Sequence, residues 1–230
     1  MKTLENLRHR LLALPGIREG RQHEARYAAF LEKVAPAKDK LARASSAADH
    51  ASTIFPSTGY SQARRSIKTS SSIASRLRQK LDIEPGEVSE DNIEKSFIRL
   101  FENADSALKT CQTTWEADLQ AKIKDWEIIA DAVAKHVTME GARLQRAIGL
   151  LRAAKSSLPQ TAKAAQDVQG HLDNLKNSVS KLGLETAFGQ FLQAAASPFG
   201  ADLSAAQVDE VSKMITKYHL EKVFRVRLPS

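Results

Sequence analysis

From Asp91 to Leu158 the chain contains no proline, and an apolar or small residue returns at almost every helical turn. The series begins Ile93, Phe97, Leu100, Ala104, Leu108, Cys111, Trp115, Leu119, Ile123, Trp126, Ile129 and Val133. It continues Val137, Gly141, Leu144, Ile148, Leu151, Lys155 and Leu158, with Gly141 and Lys155 its only poor members. Eighteen steps cover 65 residues, about 3.6 residues per step, the period of a straight α-helix. A coiled-coil seam, at about 3.5, would drift off this register by the end. The spacing therefore predicts one very long central helix over about 91–158, with other helices of the chain laid along it. Its weakest stretch is Thr138–Gly141: either the molecule is elongated, with a bend at Gly141, or the helix folds back there, and elongation is the expectation.

Unbroken, such a helix would span about 100 Å at 1.5 Å per residue. A compact chain of 230 residues is only roughly 45 Å across. The expected fold is all-α: an elongated helical bundle built on the long helix, with a short strand-like C-terminal tail. Scarce glycine (10) and proline (7), with Ala, Leu, Lys, Arg, Glu and Gln abundant, agree with helix throughout.

The expected organisation is basic N-terminal helices over 1–83, the long helix over 84–158, C-terminal helices over 159–219 and the tail over 220–230, together one elongated domain. Leu4, Leu7, Leu11 and Leu14 mark a short amphipathic helix ended by Pro15-Gly16. A second helix is expected from Gly20 to about Ala35. Pro36 either starts a third at its first position or kinks a continuous one. Ile54–Tyr60 reads as a loop anchored by Phe55 and Tyr60, with Ser61 capping a helix that carries Ala63, Ile67, Ser70, Ala74, Leu77 and Leu81. Beyond Pro159 a helix to Leu182 should stop at Gly183 in a left-handed turn, and Ser204 to Gln207 fits a capping box.

Charge is distributed in blocks. Residues 1–80 hold 16 Lys and Arg against 6 Asp and Glu; residues 81–135 hold 6 against 13. The simplest reading is that basic N-terminal helices pack on the acidic first half of the long helix. The alternative is a polyanion-binding face. Its candidate phosphate contacts are Arg64, Arg65, Lys68, Arg76 and Arg78, beside the hydroxyls of Thr69-Ser70-Ser71-Ser72. No aromatic residue interleaves with these cations, so base stacking is not indicated.

The tail changes period. Phe224, Val226 and Leu228 alternate with Arg225 and Arg227, which suits a strand added to the sheet edge of a partner or of a second copy. A basic tail packed on the bundle accounts for the pattern equally well.

The chain carries few residues in catalytic patterns. Six scattered histidines form no His-Glu-x-x-His pair, and there is no phosphate loop and no Gly-x-Ser-x-Gly elbow. Cys111 lies on the apolar face of the long helix and reads as a small buried hydrophobe. Trp115 and Trp126, eleven residues apart, share a face and read as core seam. Neither a cofactor nor a metal is expected. No apolar run approaches a membrane span and the start has no signal-like core, so a cytoplasmic chain is expected.

The function expected is a non-enzymatic helical scaffold or interaction subunit that assembles with a protein partner or with itself. The alternative is a nucleic-acid-binding accessory protein using the basic N-terminal helices. A membrane-surface-binding helical dimer is a second alternative, against which the acidic block counts.

Overall fold

A computed structural model describes residues 21–83, 90–136, 138–195 and 204–221. Among these the chain is all-α, with seven helices and no strand. They are α1 (Arg21–Ile54), α2 (Thr58–Ile83), α3 (Glu90–His136), α4 (Thr138–Ala154), α5 (Ala162–Lys181), α6 (Ala187–Ala195) and α7 (Ala205–Lys217). The expected amphipathic start at Leu4–Leu14 and the strand-like residues Phe224, Val226 and Leu228 lie outside the described residues.

The single helix expected over 91–158 is instead two antiparallel helices. Lys155 meets Gln120 and Arg152 meets Glu127, so the chain doubles back between His136 and Thr138. Gly141, where the bend was expected, lies inside the second helix. α3 has 47 residues and ends at His136; α4 begins at Thr138, with residue 137 outside the described set. The regular helix also stops at Ala154 rather than Leu158. Lys155 N–H and Ser157 N–H turn back to the carbonyls of Arg152 and Ala154, three residues earlier. Pro159 follows, and a residue before proline is disfavoured in helical geometry. Conversely, α1 continues through Pro36, the second of the two alternatives. Pro36 is exposed, so the carbonyl that loses its donor can be hydrated.

Contacts divide the chain into two compact units, Met1–Trp115 with Leu158–Ala165, and Glu116–Ser157 with Gln166–Ser230. Both draw on α3.

In the first unit, α1 and α2 are joined by Phe55-Pro56-Ser57, and both packing anchors are buried: Phe55 at the joint and Tyr60 in the first turn of α2. α2 begins at Thr58, three residues before the expected cap at Ser61. The buried positions of α1 are Val34, Ala37, Leu41, Ala44, Ala48 and Ala51, continued by Phe55 in the joint, in alternating steps of three and four, with Ala47 buried beside them. α2 repeats this with Tyr60, Ala63, half-buried Ile67, Ser70, Ala74 and Leu77, and α3 with Ile93, Phe97, Leu100, Ala104, Ala107 and Cys111. That alternation is the coiled-coil heptad. The 3.6 average read from the sequence hid it, because beyond Cys111 the buried residues Trp115, Leu119 and Ile123 follow in three steps of four. Each such step moves the stripe about 40° round the helix, about 120° in all. At the turn assigned to Leu108 the fully buried residue is Ala107, and Leu108 is half-buried.

Cross-helix contacts set the directions. Lys40 bonds Asp105, the Cys111 thiol donates to Ala44 O at 3.5 Å, and the Phe55 and Trp115 rings lie 5.6 Å apart. Positions on α1 and α3 therefore rise together, and these two helices are parallel. Gly59 meets Thr114 while Ala74 and Leu77 share a cluster with Ile93 and Phe97, so α2 is antiparallel to α3. The one polar residue buried in this seam among the described residues, Ser70, donates its hydroxyl to Ser66 O at 3.0 Å within its own helix.

The second unit packs Leu119, Ile123, Ala130 and Val133 of α3 with Leu144, Ile148 and Leu151 of α4 and the buried faces of α5–α7. Arg152 donates to Glu127 Oε1 through Nε (3.1 Å) and Nη2 (2.9 Å), and Gln120 donates to Oε2 at 3.1 Å. Lys155 reaches back to Gln120 Oε1 at 2.5 Å, which explains a charged residue at the end of an apolar series. Partial burial pushes the Glu127 carboxyl up, but the bonds from Arg152 and Gln120 and the charges of Arg152 and Lys155 outweigh it and hold it below the usual carboxylate range.

α5 stops as the sequence indicated. Gly183 has φ +67°, Leu184 N–H bonds Val179 O and Gly183 N–H bonds Ser180 O, both at 3.0 Å, the two bonds of a Schellman turn. α7 ends in the same motif without glycine, His219 taking φ 54°. Tyr218 ties the ends together, its hydroxyl donating to Lys181 O at 2.8 Å while its ring stacks on Phe188. At the start of α7 the Ser204 amide and hydroxyl both donate to Gln207 Oε1 (2.9 and 2.8 Å), which gives the expected reach-back of the glutamine.

The close approach of α2 to α3 is testable. A Cβ on Gly59 would fall 2.0 Å from Thr114 Oγ1 and 2.9 Å from its Cβ. Gly59→Ala should destabilise the chain by about 1–3 kcal/mol in urea unfolding despite alanine's better helix propensity. In a Thr114→Ala background the 2.0 Å clash is gone but the 2.9 Å approach to the Cβ at position 114 remains, so only part of that cost should be recovered, with a coupling of about 1 kcal/mol.

Candidate interaction surfaces

The five cations proposed from the sequence as one phosphate-binding face do not behave as a set. Arg64 turns to α1: Nε donates to Asp49 Oδ1 at 3.1 Å, and Nη2 to Ala48 O at 3.0 Å and Ser52 Oγ at 2.7 Å. Its guanidinium joins two helices. Arg65 and Lys68 are exposed on α2, and Arg78 is half-buried and engaged within the protein. Two of the adjoining hydroxyls are also occupied, Thr69 donating to Arg65 O and Ser70 to Ser66 O.

Arg76 is different. It shares a groove between α2 and α3 with Lys95 and Arg99, over a floor of Ile73 and Leu77, with Asn92 and Ser96 alongside. None of these lining residues is acidic. Lys95 and Arg99 lie within the block that is acidic overall, so block-averaged charge concealed them. Helical spacing exposes them: 95 and 99 are one turn apart.

A second groove runs between α1 and α3. Its centre is apolar, with Pro36, Ala37, Phe101 and the 42% exposed Ile98. Lys33 and Lys40 line the α1 side, Glu102 and Asp105 the α3 side. The Lys40–Asp105 pair is the basic-to-acidic contact that the charge blocks led one to expect. Both partners are well exposed, and such a pair contributes about 0–1 kcal/mol.

The third concavity, about 560 Å³, lies between α4 and α5 and is lined chiefly by polar side chains, among them Arg143, Arg146, His171, Asn174 and Lys181. No feature of the sequence reading pointed there, because its residues come from two helices and form no motif in either.

Among the described residues no three His, Cys, Asp or Glu side chains gather where they could hold a metal ion, and no helix is long and apolar enough to cross a membrane. Trp115 is fully buried while Trp126 is half-buried, so only the first is wholly core. Comparison with known protein families, with curated proteins and with solved structures gives no match.

Cys111 is fully buried, and burial pushes its thiol from 9.0 up to about 11, the nearby Arg64 lowering it and Asp49 raising it by less. Such a thiol keeps its proton at neutral pH. Ellman's reagent at pH 8 should leave it untouched in the folded chain and titrate it fully in denaturant. The folded thiol holds its proton longer than the unfolded one. Its contribution to stability is therefore complete below about pH 9 and is lost as pH rises toward 11, by up to about 3 kcal/mol, as unfolding at stepped pH against Cys111→Ala would show.

Proposed function

We propose that the protein is a non-enzymatic helical scaffold or interaction subunit, and that its α1–α3 groove receives an amphipathic helix of a partner protein. The observation that carries this reading is the make-up of that groove. Ile98 is 42% exposed beside Phe101, with Lys33 on one side and Glu102 on the other, Lys40 and Asp105 being paired with each other. A helix with an apolar stripe flanked by acidic residues on one edge and basic residues on the other would complement it. The heptad seams of α1–α3 support the same reading, since they give the groove a fixed frame and leave Ile98 outside the packed stripe. The alternating Phe224, Val226 and Leu228 offer a second contact of the same kind, to a sheet edge.

A photo-crosslinking residue at position 98, introduced in the native host, tests this. We expect one partner to be captured through a helical segment, and the capture to be lost when Lys33→Glu is added. A chain that sediments as a monomer and yields no crosslink at 98 beyond that of an exposed control position would end the reading.

A second reading, nucleic-acid binding, is favoured by the groove that gathers Arg76, Lys95 and Arg99, Lys95 being also engaged within the protein. Cations on neighbouring turns suit successive phosphates, and Arg65, eleven residues from Arg76, falls on the same side of α2 within about 20°. On this reading, affinity for duplex or single-stranded oligonucleotides falls by about one to several decades between low and moderate salt. Arg76→Glu with Arg99→Glu should abolish it, and absence of binding at low salt would exclude it.

A further inference from the structure

The polar face that α4 and α5 turn toward each other is explained by neither reading above. Positions 140, 143, 147 and 150 of α4 and 171, 174, 178 and 181 of α5 follow the same i, i+3, i+7, i+10 spacing. Each helix thus gives one continuous face to the cleft. Arg143, Arg146 and Lys181 bring three cations to it against one carboxylate, Glu140, and that carboxylate is already 3.7 Å from Arg143. Among the described residues, the side chains of Arg146, His171, Asn174, Asn177 and Lys181 make no hydrogen bond or ion pair within the protein. Elsewhere the same kinds of cation find carboxylates across helices, as Arg64 does with Asp49 and Arg152 with Glu127. Like charges on neighbouring turns are unfavourable for a helix by themselves, so their convergence on a concavity asks for a counter-charge.

We propose that this cleft binds a small soluble molecule carrying a diphosphate or two neighbouring phosphate groups. The Arg143 and Arg146 guanidiniums stand one turn apart and present forked donors matched to phosphate oxygens, while Lys181 adds a compact charge from the facing helix. The Asn174 and Asn177 carboxamides can both donate and accept, which suits hydroxyls on the body of the ligand. Exposed Leu150 beside buried Ala147 gives that body an apolar rest at the end of the face away from Arg143. A volume of about 560 Å³ is that of a small-molecule site.

Calorimetric titration of the full chain with pyrophosphate, adenosine triphosphate and inorganic phosphate, at constant ionic strength, tests the proposal. Pyrophosphate and the nucleotide should each saturate a single site, about tenfold or more tighter than phosphate. Arg146→Gln or Lys181→Gln should weaken both by about tenfold or more, and Arg76→Gln in the first unit should leave both unchanged. Both substituted side chains are exposed, so the variants should keep the wild-type circular dichroism and melting temperature. No saturable binding at millimolar concentrations would overturn the proposal, as would binding indifferent to both variants. Binding confined to oligonucleotides, or to vesicles containing anionic lipid, would overturn it too.

Discussion

The first unit depends on how near α1 can come to α3. Four alanines of α1, at 44, 47, 48 and 51, are completely buried, and the parallel stretch of α3 answers with Cys111 and Trp115. Small residues on one helix let large ones on the other sink in, as heptad packing requires. Alanine buries little area of its own, so the gain comes from dense contact, and dense contact fails quickly when a methylene is added or the axes separate. The thiol of Cys111 within reach of the backbone carbonyl of Ala44 is a direct sign of that proximity. Charge is secondary here. Lys40 with Asp105 and Arg64 with Asp49 are exposed pairs, better suited to fixing register than to supplying stability.

Much of this frame was legible in the residues themselves. Helix content, the burial of Ile93, Phe97, Trp115 and Leu119, the anchors Phe55 and Tyr60 and the glycine stop at 183 follow from local chemistry that tertiary contacts did not override. Pro36 was legible only as two alternatives. Its exposure decides between them, and exposure is a property of the fold. The exchange of Ala107 for Leu108 at one buried turn has a similar origin. A period averaged over many turns cannot distinguish 3.6 from a mixture of 3.5 and 4, and only packing partners reveal the mixture.

The surfaces were less legible, for a physical reason. Arg64 looks like a free cation in sequence because Asp49 and Ser52, fifteen and twelve residues earlier, are brought to it only when α1 and α2 fold together. Arg76 gains Lys95 and Arg99 by the same process, and the α4–α5 cleft is assembled from residues that are unremarkable in either helix. Grooves between helices are written across two segments, whereas motif reading works along one.

The three four-residue steps from Cys111 to Ile123 have an evolutionary consequence. Within the heptad stretches a substitution that keeps size and polarity can be absorbed where it falls. Loss or gain of one residue between Cys111 and Ile123 would instead turn every later side chain of α3 by about 100°, carrying Ala130 and Val133 off the apolar side. Relatives of this chain should therefore keep the length of that stretch, and insertions should gather in the connections between helices.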